Sequence, residues 1–190
     1  MAQDTDLLAR VERLEAINQI RFLAVRYANA MDRRDMDAAA SLYVEDVPVG
    51  KGVRGREALR KNFCDVMGTR FTTSVHFIGN HLIEFDPDDP NRARGHVYCR
   101  AEHEMIETDQ WVVVMLQYED SYSRVDGNWY FWSRKMRPWY VADVLDRPTG
   151  PEKIRVHMDD VFRSSTKAPI PDMWPTWHEF WASRQAGPGQ

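Results

Sequence analysis

The spacing of apolar residues changes period once along this chain, near Thr72, and that change restricts the folds open to it. Before Thr72, apolar positions recur at threes and fours. Leu7, Leu8, Val11, Leu14, Ile17, Ile20, Leu23 and Tyr27 form one stripe. The stripe predicts a long helix over residues 6–32, with Asp4 or Thr5 capping its start. Arg33-Arg34-Asp35 interrupts it, and Asp35 caps a second, shorter helix through Ala38, Ala39, Leu42 and Tyr43. Asp46-Val47-Pro48 with Gly50, Gly52 and Gly55 reads as a loop with room for a short strand. A third helix is predicted over Arg56–Met67, stopped by Gly68.

After Thr72 the period is two. Strands are predicted over Thr72–Phe85, Arg94–Glu107, Gln110–Arg124 and Trp129–Trp139. Asp86-Pro87-Asp88-Asp89-Pro90-Asn91 is a turn cluster, and Asp126-Gly127 is a strong hairpin signal. Helices followed by an antiparallel meander define an α+β fold, unlike the βαβ alternation of a nucleotide-binding sheet. There is no glycine-rich phosphate loop. We therefore expect one domain over residues 1–140. Residues 141–190 are expected to form a proline-containing extension with short helices at Glu152–Arg163 and Thr176–Arg184.

Composition removes several function classes. The chain has 190 residues, enough for one ordinary core, and a formal net charge of -4. Nucleic acid is not an expected partner, because that surface needs clustered Lys and Arg. No apolar run reaches the roughly 18 residues of a membrane span, so no membrane partner is expected. The start, MAQDTDLLAR, has no basic segment followed by an apolar one, and a cytoplasmic location is expected. Cys64 and Cys99 sit in no Cys/His cluster; two buried thiols and no metal site are expected. The seven tryptophans require a pocket or interface to use some of them.

Three segments carry a resemblance. IRFLAVRYANAMDRRDMDAAASLYVEDV resembles the opening of the SnoaL-like branch of the nuclear transport factor two-like superfamily; TTSVHFIGNHLIEF resembles its first long strand, and YEDSYSRVDGNWYF its last hairpin. The resemblance spans residues 6–140. It implies a cone-shaped, curved, mixed or antiparallel sheet wrapped around the long helix and enclosing a deep apolar pocket. Within the branch the chain is most similar to the scytalone dehydratase-like lyases, which include dehydratases, a dehydrochlorinase and a bile-acid dehydratase. These carry an Asp at the end of the first helix and a His on the first long strand; Asp32 and His76 fall on those positions. Tyr27 matches a pocket tyrosine of the bile-acid enzyme. Where relatives place a further Asp or His on the second long strand, this chain has Cys99, Arg100 and Ala101, with His103 beyond.

The residues can be weighed on their own chemistry. An imidazole on the apolar strand Val75-His76-Phe77-Ile78 can take and return a proton near neutrality; the plain alternative is a core histidine. Asp32 either fixes the His76 tautomer or is a surface carboxylate. Tyr27 offers a substrate-binding hydroxyl or is core. Strand alternation favours Cys99, Ala101 and His103 facing inward, while a bulge would turn Arg100 in to bind a phenolate or carboxylate. Trp111 and Trp139 are pocket candidates and Trp129 a core one. Trp174, Trp177 and Trp181 mark one face of a helix acting as lid or interface.

The expectation is a cofactor-independent lyase for a small hydrophobic, aromatic substrate. It would act as a dehydratase, or as a deformylase of lignin-type diarylpropanes. The alternatives are the non-catalytic small subunit of an aromatic-ring dioxygenase, or a ligand-binding or isomerase relative. A homotrimer is expected, with a dimer as the alternative.

Overall fold

The computed structural model describes residues 2–145 and, beyond them, only positions 154, 173, 175, 178 and 182. Helix α1 (Ala2–Asp32) is followed by α2 (Met36–Ser41), a two-stranded ribbon of β1 (Pro48–Gly50) and β2 (Val53–Arg54), and α3 (Arg56–Arg70). Four long strands complete the domain: β3 (Phe71–Phe85), β4 (Arg92–Met105), β5 (Trp111–Val125) and β6 (Asn128–Asp143). They pair antiparallel in the order β3-β4-β5-β6. The fold is α+β, with an open, cone-like sheet and a helical layer against its inner face. Two isolated parallel bridges, Tyr43 with Phe131 and Val141 with Ile154, add the mixed character.

Strand alternation decides what faces the core. Along β4, Ala93, Val97, Cys99, Ala101, His103 and Met105 are buried in turn. Their β5 neighbours Val112, Val114, Leu116, Tyr118, Asp120 and Tyr122 share that face. Helix α1 lays Ile20, Leu23, Ala24, Tyr27 and Met31 on it. The predicted stripe of α1 thus divides: its second half is buried, while Leu7, Leu8, Val11 and Leu14 stay exposed.

Two local expectations are corrected. Gly68 does not end α3, which runs to Arg70 and passes directly into β3 through an extended Phe71. A lone glycine with ordinary helical neighbours lowers helix propensity without forcing a stop. Cys64 is exposed, and only Cys99 is a buried thiol. The Asp126-Gly127 turn is as expected, with φ 48° and 79° at its two central residues, which favours the twist of an antiparallel hairpin. Trp129 is core, edge-on to Phe85. Of the predicted helix Glu152–Arg163 only Ile154 is described, in its bridge with Val141, and the tryptophans at 174, 177 and 181 lie outside the described residues.

The end of α1 is built unusually. Arg34 adopts φ 61°, a left-handed conformation that normally selects glycine. Its N–H donates to Met31 O at 3.1 Å, and the next N–H, of Asp35, donates to Ala30 O at 2.9 Å. This pair of bonds closes the helix in a Schellman motif. An arginine here costs on the order of 1 kcal/mol of backbone strain. Its side chain supplies the compensation. Nη1 donates to Met31 O at 2.9 Å and Ser74 Oγ at 2.6 Å; Nη2 donates to Phe71 O at 3.1 Å and Thr72 O at 3.2 Å. One residue ends the helix and fastens that end to β3.

Candidate active site

Asp32 is the last residue of α1, and its carboxylate reaches across to His76 on β3. Oδ2 accepts the His76 backbone N–H at 3.0 Å, and Oδ1 lies 2.6 Å from His76 Nδ1. Among the described residues strand β3 is a sheet edge, so that N–H has no neighbouring strand there to pair with, and Asp32 accepts it instead. The His76 side chain is 7% exposed and that of Asp32 26%. Burial alone would raise the Asp32 carboxyl. The hydrogen bonds from the His76 ring and backbone outweigh it and hold the group below its ordinary range. A carboxylate at Nδ1 places the proton there and leaves Nε2 with a lone pair.

His76 lines a cavity of about 200 Å³ between the helices and the sheet. Its walls are mainly apolar, with Met31, Phe63, Val66, Phe71 and Leu116 among them. Tyr27 and Tyr118 add buried phenols. Burial pushes the Tyr27 hydroxyl up to about 12, so it stays protonated and able to donate. Tyr27 meets the His76 ring edge-on at 6.5 Å. Tyr27 and Asp32 therefore serve one site although they lie on different sides of α1: Tyr27 faces the cavity and Asp32 acts through His76.

His103 also lines the cavity. Its ring stacks on Phe71 at 4.2 Å and stands edge-on to His76 at 5.4 Å. Burial pushes it down to about 3, helped by the neighbouring His76, so it is neutral at ordinary pH.

Other expected site residues lie elsewhere. Cys99 faces inward but is not among the cavity-lining residues, and burial raises its thiol to about 11, which keeps it unreactive. Arg100 occupies the outer face, bonded to Glu102 Oε1 at 3.1 Å. No bulge interrupts the β4–β5 register there, so alternation turns it away from the cavity. Trp111 also lies outside and donates Nε1–H to Glu102 Oε2 at 2.8 Å. Trp139 packs edge-on to Tyr98 at 6.0 Å, on the face opposite Cys99. None of these three lines the cavity.

A buried ion pair lies behind the site, and its acid, Asp120, was not anticipated. Arg134 on β6 donates to Asp120 on β5 through two bonds of 2.8 and 2.7 Å, with the side chains 3% and 0% exposed. The guanidinium carbon sits 4.6 Å from the Tyr27 ring centre, 4.0 Å from Tyr118 and 4.3 Å from Phe131. Asp120 also accepts from Tyr122 at 2.9 Å. The sequence did carry a signal for Asp120, an acid in the inward phase of Val112, Val114, Leu116 and Tyr118.

A wider groove of about 450 Å³ beside Glu84, Asp86, Arg92, Arg94 and Trp132 contains neither His76 nor Asp32. Among the described residues no group of three His, Cys, Asp or Glu side chains is placed to hold a metal ion, and no helix is long and apolar enough to cross a membrane.

Comparison with known proteins identifies the family and the fold. Residues 12–135 match the SnoaL-like domain, and the chain belongs to that family. It is similar to the structure of a provisionally assigned scytalone dehydratase from Novosphingobium aromaticivorans (25% identity, TM-score 0.61, covering 73% of this chain and 93% of that one). It is also similar in fold to a hexachlorocyclohexane dehydrochlorinase from Novosphingobium barchaimii (21% identity, TM-score 0.65, covering 75% and 99%). No curated protein matches the chain in sequence.

Proposed function

We propose that this chain is a cofactor-independent lyase that removes a proton from a small aromatic substrate and expels a leaving group from the adjacent carbon. The observation that carries the reading is the Asp32–His76 pair, 2.6 Å apart, with His76 on the wall of an apolar cavity. His76 Nε2 takes the proton. Asp32 holds the tautomer and stabilises the imidazolium that forms. Transfer of that proton to a departing hydroxyl releases water and restores neutral His76. Tyr27 donates to an oxygen of the bound molecule. The cavity volume favours a compound with one ring, since a cavity of about 150 Å³ accommodates benzene. This supports dehydration over deformylation of a two-ring diarylpropane. A scaffold subunit would have no use for a His/Asp pair on a cavity wall, which argues against that role.

Assembly into a homotrimer, with a dimer as the alternative, is supported by Val75, Phe77 and Leu82, exposed apolar residues on edge strand β3.

The test is to incubate the protein with neutral one-ring compounds bearing a hydroxyl on the carbon next to an acidified C–H. A product lighter by one water, lost in His76→Ala, is expected. A product of unchanged mass would indicate an isomerase. Turnover surviving in His76→Ala would remove His76 as the base.

A further inference from the structure

Helix α1 carries a second apolar stripe that the domain leaves unused. Its first stripe, with Ile20, Leu23 and Tyr27, packs on the sheet. At about 100° per residue, Leu7, Val11, Leu14, Phe22 and Val25 fall on the opposite side of the helix, within an arc of about 80°. These five are 42–65% exposed among the described residues. Apolar side chains scattered singly over a surface are ordinary, but five aligned on one helix face form a contact surface.

Spacing and charge identify what fits that surface. Val11, Asn18 and Val25 recur every seven residues, and Leu7 and Leu14 lie four residues ahead of Val11 and Asn18. This is the heptad of a two-stranded coiled coil, with β-branched residues at a and leucine at d. A single asparagine at a fixes register and strand number. Arg21 takes the next d position, and Phe22 beside it carries the apolar seam on to Val25. Arg10 stands at g and Glu15 at e, both exposed on the flanks of the seam. In a parallel pair the g residue of one helix meets the e residue five positions on in the other. Arg10 therefore faces the partner's Glu15, and symmetry makes the contact twice. An antiparallel pair centred on Asn18 would set Glu15 towards the partner's Arg26 but Arg10 towards the partner's Arg21, one attraction offset by one repulsion.

We propose that α1 pairs in parallel with α1 of a second copy of this chain, as a two-stranded coiled coil seamed by Leu7, Val11, Leu14, Asn18 and Val25. The seam is short, but the helix need not fold on contact, because the sheet already holds its C-terminal half. The contact is two-fold, so it doubles the number of chains in whatever assembly the β3 edge forms.

The test uses the full chain in a Cys64→Ser background. On mild oxidation Leu7→Cys is expected to form a disulfide between copies in most chains. A parallel seam sets each d position beside its own counterpart, within the roughly 6 Å between Cα atoms that a disulfide spans. Glu12→Cys, at b and outside the seam, should not cross-link. Light scattering should give Leu14→Asp half the native mass of the wild type, with an unchanged far-ultraviolet spectrum. Glu15→Arg should halve the mass too, and adding Arg10→Glu should restore it, because the swap re-forms the pair. Wild-type mass in Leu14→Asp, no recovery on the charge swap, or cross-linking only when Asn29→Cys accompanies Leu7→Cys, as an antiparallel pair requires, would each overturn the proposal. So would failure of Leu7→Cys to cross-link, whether its thiol reacts with a free reagent or is shielded by the chain's own C-terminal segment.

Discussion

The guanidinium of Arg34 and the hydroxyl of Ser74 lie 2.6 Å apart, two residues beyond Asp32 on one side and two residues before His76 on the other. The bond runs beside the Asp32–His76 pair and holds the same two elements together. Geometry at the base is therefore set by two adjacent ties, one through a carboxylate and one through a guanidinium.

Arg34→Ala should expose this dependence. The variant loses four donated bonds and keeps a left-handed backbone without glycine. A stability loss of about 1–3 kcal/mol is expected in urea unfolding. Turnover should fall as well, because β3 is no longer fixed against the helix end. Arg34→Gly relieves the backbone but not the missing bonds, so it should recover stability more than activity.

Asp32→Asn keeps the shape of the side chain but removes its charge. Turnover is expected to drop by about two to four powers of ten, with the far-ultraviolet spectrum unchanged. A small loss would mean that Asp32 serves only to satisfy the edge of the sheet.

The Arg134–Asp120 pair and the Arg137–Glu119 pair join the same two strands in different surroundings. The first is sealed from water; in the second the side chains are 38% and 27% exposed. Asp120→Asn should cost about 3–5 kcal/mol, because it strands a buried guanidinium. Glu119→Gln should cost less than about 1 kcal/mol. Chemical denaturation of the two variants checks the contrast.

Acid should weaken the fold through His103. Its pKa falls from 6.5 to about 3 on folding, so between those values the unfolded chain holds a proton that the folded chain does not. Stability therefore declines as pH falls through that window, by about 1.4 kcal/mol per unit from this group. His76 and Arg34 beside it oppose protonation, and Asp32 partly favours it. His81, lowered to about 4, acts in the same direction, and the depressed Asp32 adds a loss only at lower pH. Denaturation midpoints at successive pH values should fall less steeply in His103→Leu.

The regular parts of the fold were legible because period and turn chemistry are local. The stripe of Ile20, Leu23 and Tyr27, the Asp35 cap and the Asp126-Gly127 turn each announce their role within a few residues. Asp32 and His76 were legible only through the resemblance, since 44 positions separate them and nothing local joins them. Arg34 read as a helix breaker because its value lies in four acceptors, three of them on another element. Alternation favoured an outward Arg100 and no bulge turned it in, while Trp111 and Trp139 were pocket candidates on residue type alone. Asp120 and Arg134 form one buried unit only after β5 and β6 pair.

The backbone N–H of Trp129 donates to Gln19 Oε1 across 110 positions, and Phe131 bridges to Tyr43. One of the strands that hold α1 is thus the last of the domain to be made. Synthesis at about 5–20 residues per second leaves that helix waiting for roughly 5–20 s. Until β6 joins, the cover that the earlier strands give Ile20, Leu23 and Tyr27 is incomplete. The order of manufacture therefore sets a period of vulnerability, and the finished protein bears no trace of it.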